Sequence, residues 1–346
     1  MQTSQNISLK EMNTFHVDVR AKKFCLVEAA EDIATLRQSG AFDTKFLIIG
    51  CGADLLFTRD FSGLIIKSGI VGIDVVAEDE NSAIVEVGSG VIWDEFVQFL
   101  LKHKLYGLEN LAKIPSTVGA APVQNIGAYG VEQKDAFVSL RAIRLEDGQE
   151  QEFGADECNF AYRSSGFKSA SVDGDKYTGS KYFILSVKYR LSKIPTVKTE
   201  YAGLQKYMIE KGITTPTPSD VYDAVSAIRA TKLPDPACEG CGNAGSFFTN
   251  PLVTMEKFEE ISRQYPDVPH YPSSNAVKIP AAWLIENSGM KGERLGDAGV
   301  SPNHALILQN FGNASGAEIL NFSEQITAKV FSLFGIRLSR EVIVVD

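Results

Sequence analysis

Between Gly107 and Gly130 the chain shows almost no periodicity, few charges and much apolar character. It runs Gly107-Leu108-Glu109-Asn110-Leu111, then Ile114-Pro115-Ser116-Thr117-Val118-Gly119-Ala120-Ala121-Pro122, then Gln124-Asn125-Ile126-Gly127-Ala128-Tyr129-Gly130. Structureless runs of this length in a compact domain are either functional or disordered. Disorder requires low hydrophobicity and high net charge, which this stretch lacks. An ordered loop wrapped on a ligand is the remaining reading, with backbone amides and small side chains turned to what it binds. Whatever the fold, it has to hold that loop.

The flanking segments supply a scaffold. Strands are expected at Phe24 to Glu28, Lys45 to Ile49, Leu64 to Lys67 and Ala83 to Val87, with a helix from Glu31 to Gln38. An amphipathic helix from Val91 to Lys104 carries Ile92, Phe96, Phe99, Leu100 and His103 on one face, His103 packing at its edge. Gly50-Cys51-Gly52-Ala53-Asp54 follows a strand at once, and such a glycine pair can cradle a diphosphate with backbone N–H groups. It is no Rossmann fingerprint, because the third glycine would fall at Leu55. Further on, Phe137 to Leu145 and Gln149 to Phe153 form a hairpin through Asp147-Gly148. A short helix is expected from Asp156, a strand over Lys181 to Leu191, and helices over Tyr201 to Lys211 and Ser219 to Lys232. Leu233-Pro234-Asp235-Pro236 stops the last of these and marks a domain boundary. Helices over Met255 to Gln264 and Pro280 to Asn287 follow, then a strand over His304 to Gln309. A long helix has Ile319, Phe322, Ile326, Val330 and Leu333 on one face, before a closing strand with Glu341-Val342-Ile343-Val344-Val345.

Composition narrows the function. A net charge of −9 argues against nucleic acid, whose binding rests on Lys and Arg neutralising phosphates. There is no apolar run near the roughly 18 residues of a membrane span, and the first residues lack an apolar signal core, so the expected location is the cytoplasm. Five scattered cysteines fit a reducing compartment. Cys238-Glu239-Gly240-Cys241 has no further ligands at zinc spacing, so it reads as a loop pair and no metal site is expected. No serine-hydrolase order, HExxH or Walker lysine is present.

Four residues remain as candidates for chemistry. Arg163, in a Tyr-Arg-Ser-Ser turn, could grip a carboxylate through two parallel hydrogen bonds, or sit in a surface ion pair. Lys232 ends a helix, where its charge suits either a phosphate or the helix dipole. Glu341 opens an apolar strand, where burial would perturb its pKa, unless it is an edge charge that discourages aggregation. Ser246 lies in Gly242-Asn243-Ala244-Gly245-Ser246-Phe247-Phe248, with Asn250-Pro251 behind. That stretch is either a turn feeding a buried strand or a hydroxyl held in a dry pocket.

Read together, the motifs resemble the MurB family of UDP-N-acetylenolpyruvoylglucosamine reductases. The resemblance runs through Asn13-Thr14-Phe15, Gly107-Leu108-Glu109-Asn110, Gln124 to Gly130, Tyr162-Arg163, Lys232 to Pro236, Gly242 to Phe248 with Asn250-Pro251, and Glu341-Val342, in that order over nearly the whole chain. Tyr201 and the helix after it are similar to the substrate-capping segment of the family's longer form.

The resemblance implies an α+β protein with an FAD-binding vanillyl-alcohol-oxidase/PCMH-type fold of two subdomains and a C-terminal α+β substrate domain. The subdomains would be residues 1–70, completed by 334–346, and 71–233, with 234–333 binding substrate. It implies bound FAD, NADPH as hydride donor and a UDP-sugar substrate, with no nucleic acid, membrane or obligatory protein partner. Catalytic positions fall on Arg163, Ser246 and Glu341. Cofactor positions fall on Gly50, Gly52, Ala53, Asp54, Ile114, Pro115, Ser116, Gly119, Gln124, Asn125, Gly127 and Tyr129. Substrate positions fall on Tyr201, Arg229, Lys232 and Asn250. This chain departs from the family in having Ala53-Asp54 for the usual Ser-Asn, Ser116 and Ala120-Ala121 for a usual Gly and Ser-Ser, and a two-residue insertion around Cys238 to Cys241. Two rival readings are an oxidase of small alcohols or sugars on the same fold and a non-catalytic flavin or nucleotide-sugar binder.

Overall fold

The computed structural model describes residues 1–168, 180–235, 238, 240–273 and 275–346; Pro236 and Glu239 of the motifs above lie outside them. The described residues form two compact units. The first comprises Met1–Ile7, Ala21–Cys51 and Ser62–Ala230, the second Ser8–Arg20, Gly52–Phe61 and Thr231–Asp346. Among them no helix is long and apolar enough to cross a membrane.

The first unit is organised on the strand Tyr182–Ser192, which lies central in a five-stranded antiparallel sheet. Its neighbours are Phe137–Arg144 on one side and Ser82–Gly88 on the other, with Glu150–Gly154 and Ile73–Glu78 at the edges. Successive side chains of a strand point to opposite faces; here an irregularity opposite Arg141 and Ala142, which passes over Leu185, shifts that phase, and both faces are buried. Phe183 and Leu185 join a core built with Cys25, Val27, Ile33, Leu36, Leu64 and Ile66. Ile184, Val187, Tyr189 and Leu191 join a larger one around Trp93, Phe96, Leu100 and Leu140. Full burial of each such side chain stabilises by about 1.5–3 kcal/mol. The first core also rests on a second sheet, ordered Gln2–Ser8, Arg20–Val27, Phe61–Ser68, Phe46–Ile49, whose last two strands run parallel with Leu47 opposite Ile65. The helix Trp93–Lys102 buries Phe96 and Leu100 as its pattern predicts and Trp93 and Val97 besides, whereas Ile92 lies before its first turn and is exposed; His103 stacks on Phe99 at 3.9 Å. The helices Ala202–Glu210 and Pro218–Lys232 close a third cluster of Leu204, Met208, Val221, Val225 and Ile228 on Ala112.

In the second unit the strand Gly242–Ser246 pairs with Ile307–Asn310, followed by Ala298–Val300 and Arg294–Leu295. The helix Gly316–Phe334 starts at a capping box, Ser315 Oγ accepting from the Glu318 N–H and the Glu318 carboxylate accepting from the Ser315 N–H, and stops at Gly335 with φ 65°.

Three expectations change. The short helix from Asp156 is a single turn, because Asn159 takes φ 48° and breaks it. On the long helix Leu333 is exposed. The core position falls to Phe334, four residues after Val330, which packs on Tyr265 and Trp283. The closing strand is Ile343–Val345 and excludes Glu341, since the chain changes partners between them: the Glu341 N–H bonds Phe247 O, whereas the Ile343 N–H bonds Asp54 O.

Candidate active site

In the first unit the long aperiodic loop is laid along residues 89–93. The Trp93 N–H donates to Ser116 O at 2.9 Å, the Val118 N–H to Val91 O at 2.8 Å and the Gly119 N–H to Ser89 O at 2.9 Å. Gly119 is required by space: a Cβ there would lie 2.5 Å from Ser89 Cβ and 3.0 Å from Ser89 O. Gly50, at the end of the strand Phe46–Ile49, packs equally tightly, a Cβ falling 2.8 Å from Ala120 Cβ and 3.1 Å from Thr117 Oγ1. The glycine turn and the long loop therefore meet. Ser116 is buried with its hydroxyl on Thr117 O, Ile114 is half-buried against the large core, and Pro115 is exposed. Gly119→Ala is expected to cost about 1–3 kcal/mol, as overpacking does, read as a lower urea midpoint.

The next part of the loop is fixed by buried amides. Asn125 is fully buried at φ 44°. Its Nδ2 donates to Glu132 Oε2 (3.0 Å) and Ala161 O (3.1 Å), and its Oδ1 accepts from Gln133 Nε2 (3.3 Å). Gln133 in turn accepts from the Tyr189 hydroxyl at 3.1 Å. Against this frame Arg163 donates from Nη2 to Gly127 O at 2.6 Å, its guanidinium 5.1 Å from the Tyr162 ring centre. A Cβ on Gly127 would lie 3.0 Å from Arg163 Nη1. Arg163 itself has φ 53°, in the left-handed region that residues other than glycine enter at a cost. Lys168 Nζ ties Gln124 Oε1 and Arg163 O at 3.1 and 3.2 Å.

Tyr129, also at positive φ (48°), stands edge-on to Tyr201 with ring centres 5.3 Å apart. Asn110 ties the Tyr129 backbone to the segment before Tyr201, its Nδ2 donating to Tyr129 O at 3.0 Å and to Lys198 O at 2.8 Å. Tyr201 precedes the helix Ala202–Glu210 and is 48% exposed. Arg229 is near enough to Tyr129 that each influences the other's proton; burial lowers the pKa of Arg229 and Tyr129 partly offsets that. Tyr129, Tyr201 and Arg229 thus come together. Asn110, whose joining role the sequence does not reveal, holds Tyr129 directly and the chain three residues before Tyr201.

In the second unit the glycine turn continues through Gly52 (φ 69°) and Ala53 to Asp54 (φ 56°), whose carbonyl accepts from Ile343. The serine strand carries a bulge between Asn243 and Ser246. Gly245 takes φ 72°, and its N–H is held by Asn243 Oδ1 at 2.9 Å. Open space surrounds a Cβ there, so the angle and not crowding calls for glycine. Bulges re-aim the side chains beside them, and Ser246 is the one re-aimed. Phe247 and Phe248 behind it are fully buried, which excludes water from that side. Glu341 is brought beside this motif through its N–H bond to Phe247 O at 2.9 Å. Asn250 Oδ1 accepts from the Ala281 N–H at 2.9 Å, at the start of the helix Ala281–Asn287.

Lys232 lies near a residue that sequence reasoning passed over. His304 is pushed below the usual imidazole range, first by burial and then by the charges of Lys232 and Lys291, with Glu286 opposing. Its Nδ1 accepts from the Leu306 N–H at 3.2 Å, which needs the neutral ring. A neutral folded form and a protonatable unfolded one give stability that is complete above the ordinary pKa, about 6.5, and is lost as pH falls through the lower folded value. His304→Gln is expected to flatten that acid limb in urea midpoints between pH of about 7.5 and about 5.

All five cysteines are free. Burial raises the thiols of Cys25 and Cys158 to about 11 and about 12, which makes them inert. Among the described residues no cluster of His, Cys, Asp and Glu could hold a metal ion.

A family model described as UDP-N-acetylenolpyruvoylglucosamine reductase, C-terminal domain, matches residues 235–345, and one described as FAD binding domain matches residues 7–154. The chain is 42% identical over 347 aligned positions to the UDP-N-acetylenolpyruvoylglucosamine reductase of Flavobacterium johnsoniae, covering all of both. It is 43% identical to that of Pseudomonas syringae pv. syringae, covering 99% of this chain and 98% of the relative. The crystal structure of UDP-N-acetylenolpyruvylglucosamine reductase from Thermus caldophilus shares the fold with a TM-score of 0.67 at 21% identity, over the full length of both chains. The α+β flavin-binding architecture implied by the motifs is therefore the one found, and the chain belongs to the UDP-N-acetylenolpyruvoylglucosamine reductase family.

Proposed function

We propose that the protein reduces the enolpyruvyl group of UDP-N-acetylglucosamine enolpyruvate to UDP-N-acetylmuramate, using bound FAD and NADPH, in cytoplasmic peptidoglycan synthesis. The observation that carries this reading is the end-to-end identity of 42% with a named reductase, not merely a shared fold.

The residues present fit a flavin dinucleotide. Gly50 and Gly119 leave no room for a Cβ where the glycine turn meets the long loop. The backbone N–H groups of Cys51, Gly52 and Ala53 have no acceptor among the described residues, the donor set a diphosphate requires. On a chain of net charge −9, amides hold an anion without adding distant repulsion. Asp54 leaves that task to the backbone. A flavin held there would supply hydride transfer between NADPH and the terminal carbon of the enol ether.

The protein's own groups do the rest. Arg163 stabilises negative charge as it develops on the neighbouring carbon and its carboxylate, a preorganised role worth roughly 2.7–4 kcal/mol for a single donor in other enzymes. Ser246 hands its hydroxyl proton to that carbon. Serine is a weak acid, so the transfer depends on a strongly basic carbon and on the dry wall of Phe247 and Phe248. Glu341 supports the same chemistry from its tether on Phe247. Tyr201, Arg229, Lys232 and Asn250 are assigned to the UDP-sugar.

Anaerobic mixing tests the reading. NADPH should bleach the flavin band, and the enolpyruvyl sugar nucleotide should restore it with one product formed per flavin. Protein that neither carries nor binds FAD, or a reduced flavin recovered only by oxygen, would overturn it.

A further inference from the structure

Thr14 carries the one buried side-chain polar atom with no hydrogen-bond partner among the described residues. An unpaired buried hydroxyl has lost its water and gained nothing in return, which native chains seldom tolerate without another partner in view. Its backbone is fully engaged: the N–H donates to Gly52 O at 3.2 Å, and the carbonyl accepts from the Asn243 N–H at 2.8 Å. The residue before it is fixed as well. Asn13 Nδ2 donates to Leu9 O (2.7 Å) and Val17 O (3.1 Å), while Asn13 Oδ1 accepts from the Val17 N–H (3.0 Å). Gly52 presses so closely on this segment that a Cβ would lie 1.9 Å from Met12 O. The Thr14 backbone therefore lies between the glycine turn, where the Cys51, Gly52 and Ala53 amides have no acceptor among the described residues, and the strand that leads to Ser246. Rotation about χ1, exchanging hydroxyl and methyl, is the freedom the side chain retains. If packing were its only task, valine would serve as well.

We propose that the Thr14 hydroxyl hydrogen-bonds the flavin dinucleotide where it passes Gly52–Asp54. The proposal rests on the flavin reading above. In the free protein the hydroxyl carries an unmet demand, and the oxygen-rich dinucleotide supplies its partner, so the threonine adds affinity specifically to the loaded state. Thr14 is a binding residue for the cofactor and takes no part in proton transfer.

Near-isosteric exchange separates this role from packing. The full-length chain, stripped of flavin, is titrated with FAD by fluorescence, and its thermal melting is followed in parallel. Thr14→Val should melt at or above the wild type when flavin-free, because the orphan oxygen is gone, yet bind FAD about 5–10-fold more weakly. Thr14→Ser, which keeps the hydroxyl, should bind within about twofold of the wild type. Three results would overturn the proposal: equal FAD affinity for Thr14→Val and wild type, equal weakness of the serine and valine variants, or a flavin-free Thr14→Val that melts lower or fails to fold. The last would mean that the hydroxyl is already paired in the free protein. A wild-type chain that binds no FAD removes the flavin reading itself, and this assignment with it.

Discussion

Ser246→Ala is expected to leave flavin reduction by NADPH unchanged and to slow reoxidation by the enolpyruvyl sugar nucleotide by about 10²–10⁴-fold, the usual contribution of general acid catalysis. The backbone around Ser246 does not depend on its side chain. Its strand pairs with Ile307, the Phe247 N–H bonds Leu306 O at 2.9 Å, and Phe247 O receives Glu341 at 2.9 Å. Gly245 sets the bulge through its own φ of 72° and through Asn243, whose amide makes three hydrogen bonds without involving the serine. Alanine should therefore fold normally and keep its flavin spectrum, so that the kinetic loss reports chemistry. Ser246→Cys, a stronger acid on a similar stem, should recover part of the second half-reaction. Rapid-mixing absorbance at the flavin band resolves the two phases. Equal loss of both would sink the proton-donor role.

The parts of this molecule that could be read in its sequence are those with a local cause. The apolar run and alternation within Tyr182–Ser192, clearest from Ser186 onward, and the 3.6-residue repeat through Ile319, Phe322, Ile326 and Val330 follow from strand and helix geometry. The long loop was legible as ordered because its apolar, uncharged residues have no other stable state. Short strands such as Leu55–Phe57 and Ala298–Val300 were not legible, since three residues carry no period and their pairing is decided by distant partners, Ile343–Val345 and Ile307–Asn310. The same limit applies to the candidate site. Arg163, Ser246 and Glu341 could be singled out by residue type and by resemblance. The bond from Glu341 to Phe247, the clamp of Asn110 on Tyr129 and the orphan hydroxyl of Thr14 depend on contacts between remote segments. The Asn13-Thr14-Phe15 motif was visible, but nothing local marks the threonine's oxygen as unpaired. His304 has no sequence signal at all, because its lowered pKa comes from burial and from lysines 72 and 13 residues away in the chain.

Arg163→Met is expected to slow reduction of the enol ether by about 10²–10³-fold, the loss seen when one preorganised donor to a developing charge is removed. NADPH should still bleach the flavin at the wild-type rate. The backbone of Arg163 holds φ 53°, at a cost of order 1–3 kcal/mol for a residue other than glycine. Its contacts include Gly127 O and the Tyr162 ring, which aim a delocalised charge that a smaller side chain would not supply. Arg163→Lys distinguishes charge from shape: its ammonium keeps the charge but loses the planar fork, so its rate should fall between those of wild type and Arg163→Met. Arg163→Gly should melt within a few degrees of the wild type, relieved of strain but without the bond, and be as slow as the methionine variant. If instead the methionine and glycine variants lose FAD, Arg163 acts by holding the loop at Gly127, and stabilisation of the substrate's charge must come from another residue.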